Sequence, residues 1–244
     1  KIKLLNPIDK PNSLRDAYAF KNHVEAGRKG RGLPMIKEFN DFPVYYYSNH
    51  LSITNPGNIY LNKSHLKKLD FELEIAVVIA KEGKNISIDN ADDYIFGFMI
   101  MNDWSARDLQ INEMKLNLGP AKGKDFATTL GPYLVTKDEL KSKMIKTKHG
   151  NVYDMIMKAF INDKQVSEDN CKNMYWTFAQ IISRISIGTT LYPGDVIGSG
   201  TCGTGCLLET NLTNKTDEWL KLGDKMRLEI EGLGILENKI NLEK

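Results

Sequence analysis

The sequence predicts a mainly β fold with short helices, an α+β chain in which strands dominate. Three observations carry this. Residues 71–80 (FELEIAVVIA) alternate at first and then become fully apolar. Residues 95–101 (IFGFMIM) form a second apolar run, and Met226, Leu228 and Ile230 alternate with Arg227, Glu229 and Glu231. Strand signals do not alternate with long helical ones, which argues against a doubly wound parallel sheet.

Taken in order, residues 13–28 read as a helix, with Ser13 as cap and Gly27 and Gly30 as stops. On a continuous helix Asp16 and His23 lie within about 20° of one face; a helix that starts after Asp16 removes that relation. Residues 31–64 carry Pro34, Pro43, Pro56 and Gly57 and read as irregular or short-stranded. Residues 71–80 and 95–101 are strands, 104–112 a short helix and 113–130 a glycine-containing loop. Residues 152–161 and 195–199 are strand-like. Met174, Phe178, Ile181, Ile182 and Ile185 repeat at helical spacing, which predicts a helix over 172–186.

The chain has 244 residues and 27.7 kDa. A chain of this size buries about 70% of its unfolded surface, enough for a core without staples. No linker splits residues 14–240, so 1–244 is expected to be one domain. Lys plus Arg is 33 against 31 Asp plus Glu, a formal charge of +2, which gives no general field for nucleic acid or membrane. No apolar stretch approaches the roughly 18 residues of a membrane helix. Cys171, Cys202 and Cys206 are too few for a disulfide framework, so a reducing, cytoplasmic setting is expected. The chain opens at Lys1 rather than Met, so preceding residues are expected to be missing, and a targeting segment could have been lost with them.

Some motifs mislead. Gly198-Ser-Gly-Thr-Cys-Gly203 satisfies G-x-G-x-x-G, but a dinucleotide site needs a helix next, and the stretch after Thr204-Gly205-Cys206 reads as strand-like. Gly119 to Asp125 (GPAKGKD) is one residue short of a P-loop, and Asp125 replaces its Ser/Thr. Cys202 and Cys206 lack a matching Cys/His pair for zinc.

Other residues carry chemistry. Glu72 and Glu74 open a strand and point to one face, with Phe71, Leu73 and Ile75 on the other. A solvated strand face is the plain alternative. However, the run Ala76-Val-Val-Ile-Ala80 implies that both faces become covered, and carboxylates near a core need a cation. All-oxygen sites suit Mg²⁺, Ca²⁺ or Mn²⁺. Asp103 follows an apolar strand and is either a helix cap or a third carboxylate for the ion. Arg107 and Gln110 share a helix face and could hold an anionic or carbonyl ligand, or could simply be surface residues. Lys124, in a glycine-bounded loop, could face an oxyanion or solvent. Of the histidines His23, His50, His65 and His149, a lone one is more often structural, and His149 lies in a Lys-rich polar turn.

In combination these segments resemble fumarylacetoacetate hydrolase. The resemblance is dense from Asp70 to Val135, through DFELE, IFGFMIMNDWSARDLQ and LGPAKGKDFATTLGP. It resumes at Met174-Tyr-Trp-Thr177, at Tyr192 to Thr201 and at Gly205-Cys-Leu-Leu-Glu209, while Asp16-Ala-Tyr18 followed by His23 fits the family's D-x-Y-x₄-H pattern. It spans residues 14–236. It implies a mixed β-roll or β-sandwich like that family's C-terminal domain, dimeric, with the small N-terminal domain largely absent from this chain.

Residue by residue, the resemblance implies metal carboxylates at Asp16, Glu72, Glu74 and Asp103, with Mg²⁺ or Ca²⁺ expected and Mn²⁺ also admissible. It implies a catalytic His23 paired with Glu209, and Arg107, Gln110 and Lys124 at oxyanion and substrate positions. Tyr18, Tyr46 and Thr201 would contact substrate, with Tyr45 and Tyr47 as neighbours that could replace Tyr46. A second, structural cation near Asp103, Lys124 and Thr128 is also implied.

The implied reaction is metal-assisted hydrolysis of a carbon–carbon bond in a 1,3-diketo acid, fumarylacetoacetate foremost, in aromatic amino acid (tyrosine) catabolism. Three features depart from the family: Ala127 stands in place of Gly, one extra residue lies between Gln110 and Leu118, and residues 31–64 match weakly. Superfamily relatives hydrolyse acylpyruvates, decarboxylate oxaloacetate or isomerise catechol-pathway products. The presence of both His23 and Glu209 favours hydrolysis. A non-catalytic metal-binding module is the remaining alternative.

Overall fold

A computed structural model describes residues 3–243. The chain begins with strand β1 (Leu14–Ala17), helix α1 (Lys21–Gly30) and strands β2 (Tyr45–Ser48), β3 (Ile53–Thr54) and β4 (Gly57–Leu61). Next come β5 (Leu69–Asp70), β6 (Leu73–Ile79), the single-turn helix α2 (Ile88–Ala91), β7 (Ile95–Asp103), β8 (Ser105–Ala106) and helix α3 (Arg107–Met114). Strands β9 (Thr128–Thr136), β10 (Met144–Thr147), β11 (Gly150–Tyr153), β12 (Ile156–Ile161) and β13 (Lys164–Asn170) lead to helix α4 (Phe178–Ser186). The chain closes with β14 (Val196–Gly198), helix α5 (Leu207–Asn214), β15 (Lys225–Ile230) and β16 (Gly234–Leu242). Strands dominate and the helices are short, as the sequence predicts.

A seven-stranded mixed sheet runs β2-β1-β14-β6-β7-β9-β3, and a five-stranded one runs β13-β12-β15-β16-β4. Strand β6 (LEIAVVI) is buried along its whole length. Its Leu73, Ile75, Val77 and Ile79 enter the main core, while Ala76 and Val78 join Leu14, Met99, Met101, Leu130 and Val196 on the opposite face. Each such buried aliphatic side chain contributes roughly 1.5–3 kcal/mol. Strand β15 keeps the alternation read from its sequence, with Met226, Leu228 and Ile230 inside. Helix α4 is stapled on by Phe178, Ile181, Ile182 and Ile185 and starts from a reciprocal capping box between Thr177 and Gln180.

Several expectations need correction. The helix read over 104–112 starts at Arg107, after strand β8, and runs to Met114, and the loop read over 113–130 gives way to β9 at Thr128. The helix expected over 13–28 is two elements: Leu14–Ala17 pairs with β14 on one side and β2 on the other, and the helix starts only after Phe20. Asp16 therefore lies on a strand, and the shared helix face with His23 lapses. The helix expected over 172–186 begins at Phe178, because its cap is Thr177 and a 3-10 turn occupies Cys171–Asn173. The stretch after Cys206, expected to be strand-like, is helix α5. The glycine motif at 198–203 thus does run from strand to helix. Its Gly200 amide nevertheless faces carboxylates, which leaves no phosphate cradle there.

Candidate active site

On three strands of the seven-stranded sheet, the small apolar face turns acidic at the same end. Leu14 gives way to Asp16 on β1, Val78 and Ala76 to Glu74 on β6, and Met99 and Met101 to Asp103 on β7. Period-two alternation makes each acid share the face of the apolar residues before it. Glu72 lies one step beyond the end of β6. Asp16, Glu72, Glu74 and Asp103 each offer an oxygen within 4.8 Å of the others, and all are buried.

Strand β14 lies between β1 and β6, and there it carries only glycine. A Cβ on Gly198 would sit 2.6 Å from Asp16 Oδ1 and 2.9 Å from Glu74 Oε2. Gly200, at φ +79, donates its amide to Asp16 Oδ1 (3.1 Å) and Glu74 Oε2 (2.9 Å). Any side chain there would strike the Ala17 carbonyl as well as strain the backbone.

The electrostatics divide the cluster. Burial raises Glu72 as it does the others, but Lys124 and Arg107 outweigh burial and hold it at about 2. Lys124 Nζ donates to Glu72 Oε2 at 2.6 Å and Asp103 Oδ2 at 2.8 Å. Arg107 Nη2 donates to Glu72 Oε1 at 2.8 Å. Asp16 and Glu74 accept no hydrogen bond from those cations among the described residues. Burial, then the Asp103 charge, pushes Asp16 up to about 7, and burial with the Asp16 charge pushes Glu74 well above its ordinary value. Glu74 Oε1 is buried without a hydrogen-bond partner among the described residues. An orphaned buried carboxylate oxygen, two acids held above their usual range and an all-oxygen donor set fit a hard divalent cation.

Tyr46 is selected from its neighbours by strand alternation. It pairs with Asp16 across the β1–β2 ladder and its hydroxyl donates to Asp103 Oδ2 at 2.5 Å. Tyr47 points the other way, under the Arg15 guanidinium, and Tyr45 packs on the main core. Thr128 Oγ1 reaches Asp103 Oδ1 at 3.3 Å. Lys124, Tyr46 and Thr128 thus converge on Asp103, the position for which the resemblance implies a second cation. Thr201 is buried beside Gly200, and no hydrogen bond ties its hydroxyl to the acids among the described residues.

The second group of chemistry lies on helices. His23, on α1, has Nδ1 2.6 Å from Glu209 Oε2, on α5. Glu209 Oε1 accepts from the Thr204 amide at 3.0 Å. The Tyr18 ring stands edge-on to His23, with centroids 5.8 Å apart, and burial raises its hydroxyl pKa. Arg107 and Gln110 do share a helix face: Arg107 Nη1 donates to Gln110 Oε1 at 2.9 Å. Among the other histidines, His65 stacks on Phe126 with ring centroids 4.1 Å apart, a packing position.

Sequence reasoning gave no role to Asp70. Its signal was present, since Asp70, Glu72 and Glu74 share period two. Asp70 is fully buried and accepts from Arg107 Nε at 2.8 Å.

Residues 13–241 match the family of the fumarylacetoacetate (FAA) hydrolase C-terminal domain, and the chain belongs to it. A fumarylacetoacetase of Oryza sativa subsp. japonica is 38% identical over 200 residues, covering 66% of this chain and 46% of that protein. A mitochondrial oxaloacetate tautomerase of Rattus norvegicus is 33% identical over 201 residues, covering 81% and 58%. A solved fumarylacetoacetate hydrolase of Exiguobacterium antarcticum superposes with TM-score 0.74 at 26% identity, covering 98% of this chain and 78% of that one. The chain spans about half the length of the curated fumarylacetoacetases it matches.

Proposed function

We propose that this chain, acting as one catalytic domain, is a divalent-metal-dependent hydrolase that cleaves a carbon–carbon bond in a 1,3-diketo acid. Fumarylacetoacetate, giving fumarate and acetoacetate, is the first substrate to try. The observation that carries this reading is the 2.6 Å contact between His23 and Glu209, with His23 near enough to the buried acid Glu72 for its charge to act on it. Asp16, Glu72, Glu74 and Asp103 would hold Mg²⁺, Ca²⁺ or Mn²⁺. A bound ion supplies Lewis-acid activation of the diketone oxygens and charge stabilisation for the departing enolate.

The residues of the chain account for the rest. Glu209 holds the Nδ1 proton of His23, which leaves Nε2 as the base that takes a proton from water. The water oxygen bonds to the carbonyl carbon, and its carbonyl oxygen becomes an oxyanion. When that oxyanion collapses, the carbon–carbon pair leaves with the enolate, which takes the proton from His23. Arg107 has five N–H groups, of which three are engaged by Asp70, Glu72 and Gln110, so two remain for an oxyanion. Because Gln110 Oε1 accepts from Arg107, its amide NH₂ is turned outward to donate to a substrate carbonyl. Lys124 keeps one proton beyond those given to Glu72 and Asp103. Tyr18, Tyr46 and Thr201 are the substrate-facing residues of this reading, and Thr128 steadies Asp103.

A second reading, 2-oxo-acid tautomerisation or decarboxylation, is favoured by the extent of similarity to oxaloacetate tautomerases of Homo sapiens and Bacillus subtilis, which covers 98% of this chain against 66–87% for fumarylacetoacetases. Acylpyruvate hydrolysis is a variant of the first. We infer a homodimer and a place in tyrosine catabolism from the family, and a reducing, cytoplasmic setting, supported by three free, buried cysteines.

A substrate panel with wild type and His23→Ala tests the reading. Hydrolysis predicts loss of diketone turnover by a factor of about 10²–10⁴ in the variant. Oxaloacetate turnover that survives in His23→Ala, without diketone cleavage by the wild type, would replace it with the second reading.

A further inference from the structure

We propose that Asp70 is a positioning residue that fixes the Arg107 head and the His23–Glu209 pair relative to one another. The inference rests on the hydrolytic reading above and extends it to a residue outside the implied catalytic set. Asp70 is fully buried and carries four hydrogen bonds. Oδ2 accepts from Arg107 Nε at 2.8 Å and from the Leu208 amide at 2.9 Å. Oδ1 accepts from the Leu207 amide at 2.7 Å and from its own neighbour Phe71 at 2.9 Å.

Leu207 and Leu208 are the first residues of α5, and Glu209 follows them directly. Their amides have no partner inside the helix, and the buried anion supplies one for each. The local cap is weak by comparison: the Glu209 amide reaches only the Cys206 sulfur, at 3.5 Å. The start of α5 is therefore set by a side chain from β5, far away in sequence. The other edge of that carboxylate sets the orientation of the guanidinium. Asp70 thus bridges the groups assigned to the oxyanion and the group that orients the base. Its own oxygens are saturated, so it has no lone direction left for substrate.

The isosteric variant Asp70→Asn tests this. An amide offers one acceptor atom and turns two N–H groups toward donors, so it cannot serve both pairs. The expected result is a folded protein whose kcat falls about 10- to 100-fold with KM and Mn²⁺ affinity near wild type. A readout independent of turnover is the downfield Nδ1 proton resonance of His23, assigned by its absence in His23→Ala. It should shift or broaden in Asp70→Asn, although Asp70 does not touch His23. Unchanged kcat together with an unchanged resonance overturns the proposal, as does full recovery of kcat at saturating Mn²⁺. If Asp70→Asn does not fold, Arg107→Lys decides: it breaks the fork at the far edge of Asp70. A shifted His23 resonance supports the bridge, and an unchanged one overturns it. Failure of the wild type to cleave any diketo acid would sink the hydrolytic reading, while the resonance would still test Asp70.

Discussion

Gly198 stands against Asp16 in the parallel β1–β14 pair, and a Cβ on it would lie 2.6 Å from the Asp16 carboxylate. The glycine lets carboxylates from β1 and β6 meet across an intervening strand. Gly198→Ala should therefore push Asp16 and Glu74 apart and weaken Mn²⁺ or Mg²⁺ binding by about 10- to 100-fold, with little change in circular dichroism. Calorimetric titration checks it, and wild-type affinity in the variant would mean that the two acids do not act together.

Ion binding should depend steeply on pH. Asp16 is raised from its ordinary 3.8 to about 7 and Glu74 is also raised, so below neutral pH protons compete with the ion. The sign for the metal-free fold follows from the same shift. Protonated Asp16 is tolerated, and its ionisation in the buried site costs stability. Metal-free protein should lose thermal stability as pH rises from about 4 through about 7, and a divalent ion should restore it most strongly above that range. Titrations in two buffers of different ionisation enthalpy should also reveal protons released on binding.

Lys124 Nζ is paired with two buried acids, Glu72 and Asp103. Lys124→Met should destabilise the metal-free protein by about 3–5 kcal/mol, because it leaves charges buried without a partner. Chemical denaturation measures it. Recovery on adding Mg²⁺ is expected, since the ion supplies the missing positive charge.

Much of the site was legible in the sequence because period two links strand residues to a face. Glu72 and Glu74 next to an apolar run, and Asp103 at the end of another, carry their geometry in their spacing. The resemblance names Tyr46, but the physical reason that it, rather than Tyr45 or Tyr47, faces the acids is the β1–β2 register, which pairs residues 30 positions apart. Residues 14–17 read as helix in sequence because their strand pairing is supplied by β2 and β14, outside any local window. Helix α5 reads as strand-like in sequence because its start is fixed by Asp70, which is 137 residues away. Long-range capping leaves no local signature.

Thr177, whose side chain bonds only to Gln180 and the His149 carbonyl among the described residues, offers a control. Its hydroxyl closes the capping box of α4 and also donates to the His149 carbonyl. Thr177→Ala should lower stability by about 1–2 kcal/mol in thermal or urea unfolding, with kcat unchanged. A loss of turnover would indicate that α4 packing reaches the site.

The central claim is ion-dependent diketone cleavage, and the most direct measurement is the ultraviolet loss of the diketone chromophore of fumarylacetoacetate. Metal-stripped protein should show almost none, and adding Mg²⁺, Mn²⁺ or Ca²⁺ should restore it, with fumarate and acetoacetate formed in equal amounts. Folded protein that binds the ion yet leaves the chromophore intact with each of the three would contradict the claim.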